Sequence, residues 1–248
     1  MRKTRFEIES AGFPHFESCF RIFESRFPGF RISFSAFRIL FSAFPHSCYI
    51  DQSRETSRNK DQIMNHISQL SREHAALAVI DMQEAFRSVI PDFAEVASRI
   101  AKAVQGARLL EVPVIVTEQY PRGLKHTAEE ILPHLAPEPN VVEKMCFSSC
   151  GAEDFHSQLI SRDVKQVIVC GIEAHICVAQ TVLDLLSRGL EVYLLVDCIT
   201  SRKKESKQVA LSRLTQAGAW QSNLEMALFE MMKTAESRQF KAVQSLIK

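Results

Sequence analysis

The chain has 248 residues, 46% of them hydrophobic, and a formal net charge of +1, which suits one sizeable core rather than a disordered chain. The balanced charge argues against a nucleic-acid binder, which usually carries a basic stripe. No apolar run approaches the roughly 20 residues that a membrane-spanning helix needs, so we expect no membrane partner. Seven cysteines, an odd number, without a secretory hydrophobic segment indicate a reduced intracellular setting, and we expect a cytoplasmic protein.

Residues 13–47 form five seven-residue units, each with Phe at its first and fourth places. Proline residues within the units oppose a continuous helix. Three interpretations stay open: a low-complexity extension without a stable fold, a targeting segment, or a segment that binds a partner or the main domain. Residues 25–49 contain Arg and Ser but no acid, as in some transit peptides, which would make the protein mitochondrial. We assign residues 1–70 to this irregular extension and its linker, and residues 71–248 to the folded domain.

From Ala75 onward, short apolar strands alternate with amphipathic helices. The predicted strands are Ala76–Ile80, Pro113–Thr117, Val141–Val142 with an end near Lys144, Val167–Gly171, Glu191–Val196 and Ala219–Gln221. The first predicted helix is capped by Asp92 and runs to about Glu111. Three more follow: Asp154–Ser161, about His175 to Gly189, and Ser206–Ala217. We expect a last helix that is capped by Ser222 or Asn223 and runs through Met232. This alternation predicts βαβ units and a parallel sheet covered on both faces.

Three reactive side chains fall at the predicted carboxyl ends of the strands, where open parallel sheets bind ligands. Asp81 closes the first strand, Lys144 follows the third, and Cys177 lies just past the fourth. A cysteine in the first turn of a helix is favoured as a thiolate by the free N–H groups and the helix dipole. The same turn provides candidate oxyanion donors. The alternative for Cys177 alone is a small, inert core residue.

Several motifs in the same order resemble the isochorismatase-like cysteine hydrolases. They are I-D-M-Q at Ile80–Gln83, E-K-M-C-F-S at Glu143–Ser148 and G-I-E-A-H-I-C-V at Gly171–Val178. P-V-I-V-T-E-Q-Y-P and the terminal F-K-A-V-Q-S-L-I-K narrow the likeness to the animal isochorismatase domain-containing proteins. The resemblance covers about Ala75 to Lys248 and excludes the Phe repeat. It implies a three-layer, Rossmann-like α/β fold with a six-stranded parallel sheet in the order 3-2-1-4-5-6.

The resemblance also implies a catalytic triad. Asp81 would be the general base that takes the proton of Cys177, and Lys144 would hold both anionic partners and lower the pKa of the thiol. Cys177 would attack a carbonyl carbon and form a thioester, which water then cleaves. A cis peptide bond between Ile172 and Glu173 would aim the backbone N–H of Glu173, with that of Cys177, at the oxyanion.

Two departures from the family narrow the chemistry that we expect. The Asp-x-His metal site of the nicotinamidases is replaced by Thr117-Glu118-Gln119-Tyr120, so we expect no metal and no other cofactor. True isochorismatases cleave a vinyl ether and lack the nucleophilic cysteine, so Cys177 counts against that activity. We therefore expect a metal-independent hydrolase of a small amide-like substrate. The competing hypothesis is a binding or scaffold protein that retains the pocket without useful turnover.

The residues around the triad have weaker assignments. Gln83, Glu118, Tyr120 and Phe147 are candidates for the substrate pocket, and each has a structural alternative as a loop or wall residue. We expect homo-oligomers from the resemblance, and the apolar segment Leu224–Met232 is compatible with an interface. A dinucleotide-binding oxidoreductase is disfavoured, because the first strand-to-helix turn lacks a Gly-rich phosphate cradle.

Overall fold

The computed structural model describes residues 69–136 and 140–248, so the Phe repeat and the linker lie outside the described residues. Six parallel strands form one sheet in the order β3-β2-β1-β4-β5-β6, which confirms the predicted architecture. The strands are β1 Ala75–Ile80, β2 Val114–Gln119, β3 Val141–Lys144, β4 Gln166–Gly171, β5 Glu191–Ile199 and β6 Trp220–Ser222.

Helices cover both faces of the sheet. They are α1 Phe93–Leu109, α2 Pro121–Leu124, α3 Glu153–Ser161, α4 Ala179–Ser187, α5 Lys204–Gln216, α6 Leu224–Met232 and α7 Phe240–Ile247. Short 3-10 turns lie at Glu84–Phe86, Leu132–His134 and Ser149–Gly151, and one π-helical turn lies at Ala174–Val178. One apolar cluster joins the sheet to α1, α6 and α7, and the other joins it to α3, α4 and α5.

The structure tests three predictions about helices: the cap of α1, the cap of α6 and which helix is the last. The side chain of Asp92 does not cap α1, because its Oδ1 accepts a hydrogen bond from Thr200 Oγ1 at 2.7 Å instead. Asn223 caps α6, as predicted, by accepting from the N–H of Met226 at 2.8 Å. The helix that ends at Met232 is not the last, since α7 follows it.

The apolar character of α6 is explained within the chain itself. Five of its nine residues are buried against the sheet and its neighbours: Leu224, Ala227, Leu228, Met231 and Met232. Among its large side chains, Met226 is the one that is 54% exposed. The apolar composition of α6 therefore gives no support to an oligomer interface, and homo-oligomerisation stays a prediction.

Arg87 ties the turn after β1 to the loop that follows β2. Its guanidinium donates to Glu84 and to Glu130, both at 2.7 Å, and lies 4.7 Å from the centre of the Phe93 ring. We call Arg87 and its two carboxylate partners the Arg87 clamp. Its hydrogen bonds hold the pKa of each carboxyl group below its usual range.

Within residues 69–136 and 140–248, no helix is both long and apolar enough to cross a membrane.

Candidate active site

The strand register brings the predicted triad to one edge of the sheet. Ile80 in β1 lies beside Thr117 in β2 and beside Gly171 in β4, and Gln119 lies beside Lys144 in β3. Because the strands are parallel, the residues that follow them emerge at the same edge. Asp81 is thus placed between the segments that carry Lys144 and the cysteine helix.

A tight turn after β4 places the cysteine. Gly171 has a φ of +118°, and an added Cβ would meet the carbonyl oxygen of Ile80 at 2.0 Å, so no other residue fits there. The peptide bond between Ile172 and Glu173 is cis. Cys177 then lies in the π-helical turn that precedes α4, where the sequence predicts the first turn of an ordinary helix.

The backbone N–H of Glu173 is one of the two groups that we expect to donate to an oxyanion. Among the hydrogen bonds of the described residues, none uses this N–H as a donor. The carboxylate of Glu173 is buried and accepts hydrogen bonds from the backbone N–H and the Nε of Arg202, at 3.1 and 3.0 Å. Ile172 is fully buried and donates its N–H to the carbonyl of Ile80 at 2.9 Å. The turn is therefore fixed on both sides of an N–H that stays available.

Asp81 and Lys144 form a buried ion pair. The Nζ of Lys144 lies 2.7 Å from the Oδ2 of Asp81, and both side chains are almost inaccessible to water. The same Nζ also donates to Gln119 Oε1 at 3.0 Å and to the carbonyls of Cys146 and Phe147 at 3.1 and 3.0 Å. An ammonium group has three hydrogens, so these four acceptors use all of them. Lys144 thus acts through its charge and not through a free donor.

The thiol of Cys177 differs from the sequence-based expectation. The side chain is buried, and this burial, followed by the negative charge of Asp81, raises its pKa to about 12. Lys144 lowers the pKa, as expected, but its effect is smaller. A hydrogen bond with Asp81 also raises the pKa. Burial and the Asp81 carboxylate therefore oppose the thiolate form that the helix start and Lys144 favour.

A chain of buried hydroxyl groups supports Asp81 from behind. Thr117 Oγ1 donates to Asp81 Oδ1 at 2.7 Å, and Ser149 Oγ lies 3.5 Å from Thr117 Oγ1. Thr181 Oγ1, one helical turn after Cys177, lies 3.3 Å from Ser149 Oγ and accepts from the N–H of Ser149 at 2.9 Å. All three hydroxyl residues are completely buried. The chain of hydroxyl groups thus connects β2 to the segments that follow β1, β3 and β4.

Two of the four predicted pocket residues have structural roles. Gln83 is fully buried, and its amide donates to the carbonyls of Gln119 and Lys125 at 3.0 and 2.7 Å, so both amide hydrogens are used. Glu118 is also buried, and its Oε1 accepts from the N–H and the hydroxyl of Thr127, both at 2.7 Å. These contacts fix the loop after β2, and they leave neither side chain free to line a pocket.

The other two predicted pocket residues are exposed beside Lys144. Tyr120 is 48% exposed and donates its N–H to the carbonyl of Lys144 at 2.9 Å. Phe147 is 54% exposed, and its carbonyl accepts from Lys144. Met145 directly follows Lys144 in the chain and is 71% exposed. The sequence analysis does not assign it to the site. We call Tyr120, Met145 and Phe147 the apolar rim.

Gln119 is a site residue that sequence reasoning did not assign. Its Oε1 accepts from Lys144, and its Nε2 donates to the carbonyl of Met145 at 2.7 Å. Its own backbone N–H and carbonyl are both bound by the amide of Gln83. The signal in the sequence was its place two residues past the end of the second predicted strand, close to the expected carboxyl edge of the sheet.

The fold and this cluster define a Rossmann-like α/β protein with a buried thiol, carboxylate and ammonium at the carboxyl ends of its strands. The isochorismatase domain family matches residues 75–226. The chain therefore belongs to the isochorismatase-like hydrolase family.

Individual relatives agree with this assignment. Isochorismatase domain-containing protein 2 of Danio rerio is 40% identical over 187 residues, which are 73% of this chain and 90% of that protein. The human protein of the same name is 43% identical over 176 residues, 70% of this chain and 83% of that protein. Among solved structures, the MAR1 ribonuclease of Caenorhabditis elegans is 38% identical with a TM-score of 0.70, over 73% of this chain and 92% of that one.

Proposed function

We propose that this chain is a metal-independent cysteine hydrolase that cleaves a small amide-like C–N bond, with residues 71–248 as the hydrolase domain. The observation that carries the proposal is the buried ion pair between Asp81 and Lys144, whose two charges both act on the buried Cys177 thiol. A buried acid–base pair next to a nucleophile is the arrangement that covalent catalysis requires.

The reaction begins with proton transfer from Cys177 to Asp81 as the sulfur attacks the carbonyl carbon. The oxyanion that forms accepts hydrogen bonds from the N–H groups of Glu173 and Cys177. The ammonium of Lys144 balances the negative charge that moves between Asp81 and the sulfur. Asp81 then gives its proton to the leaving amine, and a thioester remains.

Water completes the cycle. With the amine gone, the Asp81 carboxylate takes a proton from a water molecule, which attacks the thioester carbon. The tetrahedral intermediate collapses, the C–S bond breaks, and the proton returns to Cys177. The acid product leaves, and the thiol is restored next to its base.

The proposal contains no metal step, because the last two residues of β2 already use their polar side chains in other contacts. The Gln119 amide is used by Lys144 and Met145, and the Glu118 carboxylate is used by Thr127. A metal ion at this position would have to displace these contacts, and an amide is a weaker ligand than the carboxylate and imidazole that many metal sites use.

The test is a screen of small primary and secondary amides against the wild-type full-length chain, Cys177→Ala and Cys170→Ala. Cys170 is buried in β4 and serves as the control for loss of a buried thiol. We expect ammonia or amine release by wild type and Cys170→Ala, a thioester adduct by intact-mass spectrometry, and neither with Cys177→Ala. Hydrolysis by Cys177→Ala at the wild-type rate would refute the mechanism. Binding of amides without any turnover would favour the binding-protein hypothesis.

A further inference from the structure

The two cations that adjoin the site are each paired with a carboxylate. Lys144 binds Asp81 at 2.7 Å and has no hydrogen left for a ligand. Arg202 donates through Nε to Glu173 at 3.0 Å. A substrate carboxylate would have to displace Asp81 or another acceptor at Lys144, and exchange of this buried ion pair is costly.

The charge distribution around the sulfur points the same way. Besides burial, Asp81 is the largest influence on the Cys177 thiol, and it outweighs the opposing effect of Lys144. Glu173 adds a smaller effect of the same sign as Asp81. The local field thus disfavours negative charge at the sulfur. A negatively charged substrate that approaches the same atom meets the same opposition.

The apolar rim offers a surface for an uncharged group. Its three side chains are 48–71% exposed, and each belongs to a segment whose backbone is hydrogen-bonded to Lys144 or to Gln119. A thioether, a phenol ring and a phenyl ring offer contact area to an apolar or aromatic group. Removal of this area from water favours binding of an apolar partner.

We infer that the substrate is an uncharged molecule whose acyl part carries an apolar, preferably aromatic, group that packs on the apolar rim. This inference rests on the proposed hydrolase function and specifies its substrate class. Phe147 and Met145 are then specificity residues. The ammonium of Lys144 keeps its contacts when these side chains change, because only the backbone carbonyl of Phe147 binds it.

The experiment compares three thiol reagents on the full-length chain at pH 8.5: iodoacetamide, iodoacetate and N-benzyl-iodoacetamide. In each case the sulfur displaces iodide, a C–S bond forms and the thiol proton is lost. Rates for Cys177 are measured by mass spectrometry of its peptide and divided by those for mercaptoethanol. We expect iodoacetamide to exceed iodoacetate by about tenfold or more. We expect the benzyl reagent to exceed iodoacetamide by about threefold to tenfold.

Two variants locate the preference. Phe147→Ala should reduce the advantage of the benzyl reagent to less than about twofold, because the ring contact is lost. Met226→Ala, which removes an exposed apolar side chain on α6, should leave the advantage unchanged. An unchanged advantage in Phe147→Ala would overturn the assignment of the rim.

A preference for iodoacetate would overturn the inference of an uncharged substrate. It would indicate that Arg202, whose side chain is 53% exposed, receives an anion, and Arg202→Gln should then abolish the preference. Either result leaves the hydrolase function intact. That function fails separately, if wild type and Cys177→Ala hydrolyse amides at equal rates.

Discussion

Removal of Asp81 and removal of Lys144 should move the pKa of Cys177 in opposite directions. The pKa is raised from 9.0 to about 12, with Asp81 raising it and Lys144 lowering it. At pH 8 the side chain is then largely a protonated thiol. A unit charge about 4 Å away is worth about 4 kcal/mol at an effective dielectric constant near 20, so loss of either charge should change the pKa by about 1 to 3.

The assay follows iodoacetamide alkylation of Cys177 between pH 6 and 10 in Asp81→Asn and Lys144→Met. In Asp81→Asn the thiolate becomes the counter-ion of Lys144, so alkylation at pH 8 should rise about tenfold or more. Amide hydrolysis should fall about a hundredfold to ten-thousandfold, because the general base is lost. In Lys144→Met the thiol faces an unbalanced carboxylate, and alkylation should slow about tenfold or more.

The control is Glu143→Gln, which removes an exposed negative charge from β3 and should change neither rate by more than about twofold. Circular dichroism should show that each variant is folded, since loss of one partner of a buried ion pair costs about 3–5 kcal/mol. If Asp81→Asn and Lys144→Met change alkylation in the same direction, the assignment of charges around the sulfur is refuted.

Three further predictions concern positioning and stability. Gly171→Ala should lower the free energy of unfolding by more than about 3 kcal/mol, because the added Cβ meets the backbone of Ile80. At Gly218 an added Cβ meets nothing within 4 Å. Gly218→Ala should therefore lower the free energy of unfolding by about 1 kcal/mol, through backbone strain alone. Thr117→Val should lower amide hydrolysis about tenfold to a hundredfold by removing a donor to the Asp81 carboxylate, and Thr117→Ser should restore it. Arg87→Met should lower the free energy of unfolding by about 1 kcal/mol at pH 7, a value that allows for solvent screening of the ion pairs.

Each of these has a distinct measurement. Urea denaturation measures the free energy of unfolding of the two glycine variants, and an equal decrease at both positions would contradict the steric argument. Equal hydrolysis by Thr117→Val and wild type would contradict the positioning role. For the Arg87 clamp, both carboxyl groups have lowered pKa values, so its stabilisation is present above their ordinary pKa and is lost as pH falls. The stability difference between wild type and Arg87→Met should therefore shrink as pH falls below the ordinary pKa of the two carboxyl groups, and a constant difference would contradict it.

The order of elements could be predicted because the apolar runs are short and cleanly bounded. Gly171 ends β4 where the sequence places it, and Lys144 ends β3. The strand order itself came from the family resemblance and not from periodicity. Asp81 and Lys144 form an ion pair whose charges act on the Cys177 thiol, because residues at the carboxyl ends of parallel strands emerge at one edge; their joint catalytic role stays a prediction.

Other features depend on tertiary contacts that no local pattern reveals. Gln83 reads as a polar residue at the start of a turn, and only the folded chain shows its amide bound to the backbone of Gln119. Asp92 has the position of a helix cap, but the hydroxyl of Thr200, distant in sequence, binds it instead. The pKa of Cys177 depends on burial, which outweighs the effect of the Lys144 cation that the sequence suggested.

The anchoring of Lys144 by main-chain oxygens has an evolutionary consequence. Every amino acid has a carbonyl group, so replacements at positions 146 and 147 preserve the acceptors that hold the ammonium. Side chains in this short stretch can therefore diversify without disturbing the electrostatics at the sulfur. In the proposed hydrolase, selectivity would thus be set by side chains and reactivity by the main chain of the same short stretch.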